Sequence, residues 1–157
     1  LALANPGDGY PIMADMKKYV YDAGKSAGAG DQVGTVLYMR GMYQALLSTE
    51  AIRKAQEMSG EMNVTPAMVR DGMEALNITE ELMAARGMPG FGPAFQVSCA
   101  NHGGSGIAKI QQWDATTKKW SLVTDWISAD RSIIDPLIAE DSEAFAKENN
   151  ITERACN

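Results

Sequence analysis

A glycine- and proline-rich segment, GMPGFGP at residues 87–93, divides the chain into two parts with different hydrophobic periods. Before this segment, apolar residues recur every three or four positions, which is the spacing of amphipathic helices. Thr65 stands before Pro66 and Thr79 before Glu80, and each threonine is a favourable N-cap. The predicted helices of this first part span residues 12–20, 32–58, 66–76 and 80–86.

After the segment, β-like runs alternate with turn residues. These runs span residues 95–99, 107–113 and 120–127. The last two runs predict a hairpin with Trp113 and Trp120 as neighbours across its strands.

The two ends of the chain complete the predicted fold. Asp135 and Pro136 predict the start of a final helix. Residues 1–4 predict a buried strand, and no second strand follows nearby to pair with it. The pattern therefore predicts an α/β fold of about five helices and three or four strands that forms part of a larger protein. We treat residues 1–157 as one portion with three segments: a mainly helical one at 1–90, strands and hairpin at 91–130, and a C-terminal helix and tail at 131–157.

Composition and charge exclude several classes of protein. Hydrophobic residues make up 45% and charged residues 22%, which is typical of a globular domain rather than a disordered one. No apolar run is long enough to predict a membrane-spanning helix, and no signal peptide is expected within this chain. The net charge is −6 and the cations are not clustered, so we expect no nucleic-acid partner.

Cys99, Asn101 and His102 lie within four positions, and these are the residue types of a thiol protease site. On an extended segment Cys99 and His102 would point to opposite faces, and no basic residue close in sequence would activate the thiol. A zinc site would need two pairs of ligands, whereas only Cys156 remains to join Cys99 and His102. We therefore predict no catalytic residue and no metal ligand, and we expect His102 to be a turn residue that bonds to backbone.

Cys99 and Cys156 are the two cysteines of the chain, and a disulfide between them is the favoured interpretation. This bond would close a loop of 57 residues, which corresponds to about 4 kcal/mol of stabilisation. It would also indicate an oxidising compartment. Two free buried thiols remain the alternative.

The loop NPGDGY follows the first predicted strand and carries the polar residues Asn5, Asp8 and Tyr10. Its glycine spacing matches neither a dinucleotide-binding fingerprint nor a phosphate-binding P-loop. Ligand sites of α/β sheets often lie directly after a buried strand, so these three residues are candidates for ligand binding. An ordinary strand-to-helix turn is the alternative.

Four stretches in this order carry a resemblance to a known family: LALANPGDGYPIMADMKKYVY, VGTVLYMRGMYQALLSTEAIRKAQ, VTPAMVRDGMEALNIT and CANHGGSGIAKIQQWDATTKKWSLVTDW. Together they resemble the C-terminal part of the periplasmic substrate-binding proteins of ABC importers, in the branched-chain amino acid class. The resemblance covers nearly the whole chain, although none of its motifs is diagnostic alone.

The resemblance implies a fragment of a two-lobed α/β sandwich that closes around a small solute by hinge motion, in the periplasm and without catalysis or cofactor. It places Tyr38 and Arg40 near the solute beside the loop of residues 5–10, where Asp8 would meet an ammonium group and Arg40 a carboxylate. The expected function is capture of an amino acid or related carboxylate for ABC import. The expected partners are the solute, a missing N-terminal lobe and a membrane permease. A ligand-sensing domain of a receptor or regulator is the alternative, followed by a thiol enzyme.

Overall fold

The computed structural model describes residues 9–152 and 154–156. Its helices are α1 (Pro11–Met16), a π-helical turn (Lys17–Tyr21), a 3₁₀ turn (Gly30–Gln32), α2 (Val36–Ser59), α3 (Pro66–Glu74), α4 (Glu80–Ala85) and α5 (Arg131–Glu148). Its strands are β1 (Asn77–Ile78), β2 (Phe95–Gln96), β3 (Ile107–Ala108), β4 (Gln111–Asp114), β5 (Lys119–Leu122) and β6 (Ile127–Ser128). The broad α/β class with about five helices is confirmed. The predicted strand at residues 1–4 lies outside the described residues.

Threonine caps fix the starts of the helices in the first part. The side chains of Thr35, Thr65 and Thr79 each accept a hydrogen bond from a backbone N–H three residues later, at 3.4, 3.3 and 3.1 Å. These bonds satisfy N–H groups that the first turn of a helix leaves without a partner. The predicted starts at Thr65 and Thr79 are confirmed, whereas α2 begins at Val36, four residues later than Gln32.

The hydrophobic core lies between α2, α3 and the segment that follows α4. Gly72 of α3 lies against the backbone of α2, where a Cβ atom would come within 2.8 Å of the Ala55 nitrogen. This close approach brings together the buried core residues, which are Met39, Tyr43, Leu46, Ala51, Leu76, Ile78, Met83, Met88 and Phe91. Arg86 adds an ion pair to Glu50 of α2, with 2.7 Å between Nε and Oε1.

The strands are short, and all of them pair in antiparallel fashion, β1 with β2, β3 with β6 and β4 with β5. The described part of the chain has six short strands, where three runs were predicted within it. The run 107–113 is divided because the Ile110 N–H donates to the Thr124 hydroxyl, at 2.9 Å, between β3 and β4. The predicted hairpin is confirmed: Trp113 faces Trp120, with ring centroids 5.5 Å apart.

Helix α5 begins at Arg131, so the predicted start at Asp135 and Pro136 is wrong. The Asp130 carboxylate caps the helix by accepting from the Ser132 N–H at 3.0 Å and from its hydroxyl at 2.6 Å. Arg131 and Asp135 then form an ion pair across the first turn, at 2.9 Å. Pro136 therefore lies inside the helix rather than at its first position.

Burial is uneven along the chain. Every buried residue that the structure describes lies between Gly34 and Pro93, and none of the described residues from 94 onward is buried. Within the described part, no helix is long and apolar enough to cross a membrane. The C-terminal strands and α5 thus extend from a core to which they add no buried side chain.

Candidate functional site

A cluster of polar and sulfur-containing side chains joins the C-terminal tail to α3. We call it the tail cluster and define it as Glu74, Cys99, His102, Arg154 and Cys156. Glu74 is the last residue of α3, and Cys99 lies in a tight turn after β2 that Ser98 and Asn101 flank. His102 follows this turn, and the other two residues belong to the tail. Three segments that are distant in sequence therefore meet here.

Cys99 and Cys156 form a disulfide, with 5.6 Å between their Cα atoms. The predicted pairing is confirmed, and the alternative of two free thiols is wrong. Because the sulfur of Cys99 is bonded to Cys156, it is not available as the nucleophile of a thiol enzyme.

Glu74 is the charged centre of the tail cluster. The Arg154 guanidinium donates a hydrogen bond to Glu74 Oε1 and lies 3.0 Å from the Cys99 sulfur. His102 Nε2 lies 3.4 Å from the same carboxylate oxygen. The Glu74 side chain is only 13% exposed, which keeps solvent from competing for these contacts. The hydrogen bond from Arg154 lowers the pKa of Glu74, and the same bond raises the pKa of Arg154.

The side chains of Ser98 and Asn101 stabilise the turn that these two residues flank. The Ser98 hydroxyl accepts from the Asn101 N–H at 3.1 Å, and the Asn101 amide oxygen accepts from the Gly103 N–H at 2.9 Å. Asn101 thus shapes the turn, whereas the His102 ring faces Glu74. The prediction that His102 bonds to backbone is wrong, because the turn places its ring against a carboxylate from α3.

An apolar cleft lies beside the tail cluster, between α2, α3 and β2. Its volume is ≈ 450 Å³, and it is lined by the apolar residues Leu47, Met73, Phe95 and Val97 and also by Arg70 and His102. Met73, which precedes Glu74 on α3, is 50% exposed. No group of side chains suited to a metal ion is present among the described residues.

Two of the predicted ligand-binding residues, Tyr10 and Tyr38, contact other aromatic residues rather than the tail cluster. Tyr10 packs edge-on against Phe91, with 5.2 Å between ring centroids, and partial burial raises its pKa. Tyr38 accepts a hydrogen bond from the Tyr21 hydroxyl at 3.4 Å, and burial together with this bond raises the pKa of Tyr38 to about 12. Both tyrosines pack against the core.

The other three predicted ligand residues are Arg40, Asn5 and Asp8. Arg40 is exposed on α2, and Asn5 and Asp8 lie outside the described residues. A ligand-binding role for these five positions stays a prediction.

Sequence reasoning missed Glu74 and Arg154 as members of a site. Glu74 lies in the predicted helix at residues 66–76 and Arg154 in the predicted tail, and 80 residues separate them. A pairing over such a distance leaves no local pattern. The disulfide was the one signal for it, because a bond from Cys156 to Cys99 brings the whole tail towards the strand region.

The comparisons with known proteins give one informative match. No protein-family model and no curated protein matches the chain. Among solved structures, it is similar to a protein from the Pseudomonas fluorescens group that is described as an ABC transporter permease. The two share 37% sequence identity with a TM-score of 0.84, over 97% of this chain and 36% of the other. The chain thus spans little more than a third of that protein's length.

This match corrects two expectations. The family assigned from the sequence, a periplasmic substrate-binding protein, is wrong, because the neighbour is described as a permease. Solute capture by hinge closure is wrong for the same reason, since a permease is a different component of ABC transport. The assignment relied on the order of helices and a hairpin, and such an order recurs in proteins of different function. The comparison supports the broader link to ABC transport.

Proposed function

We propose that this chain acts in ABC transport, as part of a protein of the permease kind to which it is similar. The observation that carries the proposal is the shared backbone, with a TM-score of 0.84 at 37% identity over 97% of the chain. A common fold alone would be weak support, because one fold serves many functions. A sequence identity of 37% over an alignment that covers 97% of the chain is much stronger support.

In this proposal the chain contributes to transport by binding another polypeptide, and it catalyses no reaction. The tail cluster supports this role, because its charged groups are engaged with one another. Arg154 binds Glu74, His102 faces the same carboxylate, and both cysteines are joined. This arrangement fixes the tail against α3. It offers neither a free nucleophile nor an unpaired general base among these five residues.

We place the chain in an oxidising compartment, the periplasm. The disulfide supports this location, because such bonds form and persist outside reducing compartments. In this setting the tail would stay fixed throughout the life of the protein. A cytosolic location would instead expose the bond to thiol reductants.

Affinity purification from native membranes tests the proposal. The full-length gene product is tagged, extracted in mild detergent and purified, and the proteins recovered with it are identified by mass spectrometry. We expect an ABC-type ATPase in near-equal amounts with the tagged protein. A periplasmic protein of unrelated function with the same tag is the control. Recovery without any ABC component would contradict the proposal.

The compartment is tested separately by thiol labelling. Intact cells are treated with a thiol reagent before and after mild reduction. Labelling of Cys99 and Cys156 only after reduction is the expected result. Labelling without reduction would contradict an oxidising location.

A further inference from the structure

The C-terminal part of the chain exposes an unusual amount of apolar surface. Of the eighteen large hydrophobic side chains that are exposed in the described part, twelve lie between residues 110 and 151. Trp120 of the hairpin is 43% exposed, and on α5 Leu137 and Phe145 are 55% and 60% exposed. On the hairpin, the exposed Trp113 and Trp120 rings also lie next to each other, and adjacent exposed apolar side chains of this size mark contact with another macromolecule.

Helix α5 presents its apolar residues along one side. Ile133, Leu137, Ile138 and Phe145 recur at helical spacing, and each is more than half exposed. Burial of side chains of this size is a large source of stability. In proteins, helices are stabilised mainly by packing of their apolar side, so a covering surface would stabilise α5.

The structural neighbour indicates what covers this surface. Its match covers 97% of this chain but only 36% of its own length. The remaining length is more than enough to provide a covering surface. We infer that the hairpin and α5 dock onto a further polypeptide that corresponds to this remaining part of a longer protein. The inference names a partner for the function proposed above and so rests on it, but its test needs no transporter.

Charge defines the chemistry of this partner surface. Asp141 lies three residues after Ile138 and four before Phe145 on α5, and so on the same side of the helix as these apolar residues. The covering surface is therefore apolar with a lysine or arginine side chain opposite this carboxylate. A second copy of the chain would bring the same acidic residues together, and the net charge of −6 adds to the repulsion. Anionic lipid headgroups would be repelled by α5 in the same way.

Hydrogen exchange gives the first test. The 157-residue chain alone and the intact neighbour protein are compared by mass spectrometry, peptide by peptide along the aligned residues. We expect the positions aligned with α5 to exchange at least about tenfold more slowly in the intact neighbour. Peptides from α2, whose core side chains are buried in both, are the internal control. Equally fast exchange of α5 in both proteins would overturn the inference.

A chimaera gives the second test. This chain replaces the matching part of the neighbour protein, and Leu137→Ser/Phe145→Ser is introduced into both the chimaera and the isolated chain. We expect the thermal midpoint to fall by several degrees in the chimaera and to stay unchanged in the isolated chain. Leu37→Ser is the matched control, because Leu37 is 74% exposed on α2, outside the proposed interface. An unchanged midpoint in the chimaera would overturn the inference.

Two further measurements test whether a second copy of the chain or a lipid membrane covers this surface instead. Light scattering across a concentration series would reveal a dimer, and flotation with vesicles of anionic phospholipid would reveal membrane binding. Slow hydrogen exchange of α5 in a dimer of the isolated chain would assign the surface to a second copy, and slow exchange in its vesicle-bound form would assign it to lipid. Either result would overturn the polypeptide partner proposed here. A failure of these tests leaves the purification of ABC components unaffected, so the two proposals fail independently.

Discussion

At the scale of single residues, Glu74 holds the tail by an ion pair, in addition to the disulfide of Cys156. Its carboxylate accepts from Arg154 and faces His102, and the bond from Arg154 lowers its pKa in the folded state. A lowered folded pKa means that the ion pair stabilises the protein above the ordinary glutamate pKa of 4.5. This stabilisation is lost as the pH falls from that value through the lower folded pKa.

Glu74→Gln should therefore flatten the dependence of stability on acid pH. We expect the wild-type thermal midpoint to fall more steeply than that of the variant as the pH is lowered below the ordinary glutamate range. Thermal melts at a series of pH values measure the difference. Glu61→Gln is the control, since the Glu61 side chain is exposed and makes no ion pair with any described residue. Parallel pH profiles for wild type and Glu74→Gln would contradict the role of Glu74.

Gly72 makes a second prediction at this scale. An alanine Cβ there would meet the backbone of α2, so Gly72→Ala should cost at least about 1–3 kcal/mol by forcing α3 away from α2. Gly41→Ala is the matched control, because Gly41 lies in α2 with open space around it. There the alanine should stabilise the helix by about 1 kcal/mol through its higher helix propensity. Urea denaturation of both variants gives the comparison. Equal stabilities would show that the two helices are not in close contact at Gly72.

At the scale of elements, the start of α5 depends on one carboxylate. Asp130→Ala removes the acceptor for both the N–H and the hydroxyl of Ser132, and we expect the first turn of α5 to lose stability. Because α5 buries no side chain, this loss should appear as local fraying of the first turn. Hydrogen exchange of residues 131–134 measures it. Asp125→Ala, in an exposed turn, should leave that exchange unchanged.

The elements also show what the sequence could predict. The helices that begin after Thr65 and Thr79 were predictable, because a cap and the next turn carry the whole signal within a few residues. The run 107–113 was predicted as one strand because its β propensity is continuous. The division at Ile110 results from a bond to Thr124, 14 residues away, that no local pattern encodes. The same limit explains why Glu74 and Arg154 were not recognised as partners.

At the scale of the whole molecule, the disulfide closes a loop that contains β3 to β6 and α5. None of the described residues in that loop is buried, so the loop lacks a core of its own. The chain-entropy model gives the bond about 4 kcal/mol for 57 residues. That stabilisation therefore acts mainly on the C-terminal part and much less on the packing of α2 against α3.

Cys99→Ser/Cys156→Ser should separate the behaviour of the two parts. We expect residues 107–148 to lose their exchange protection in the double variant while α2 and α3 keep theirs. Hydrogen exchange of oxidised wild type, reduced wild type and the double variant gives the measurement. If α2 and α3 lost protection together with the loop, the chain would instead unfold as a single cooperative unit.

The distribution of aromatic side chains has a practical consequence for any such experiment. Trp113, Trp120 and Trp126 are the three tryptophans of the chain, and all of them lie in or beside the β4–β5 hairpin. Intrinsic tryptophan fluorescence is therefore a reporter of the C-terminal part alone, with no probe in the α2–α3 core. Tyr43 and Phe91 pack against each other in that core and give the complementary near-ultraviolet signal. Unfolding curves from the two signals will coincide only if both parts melt together.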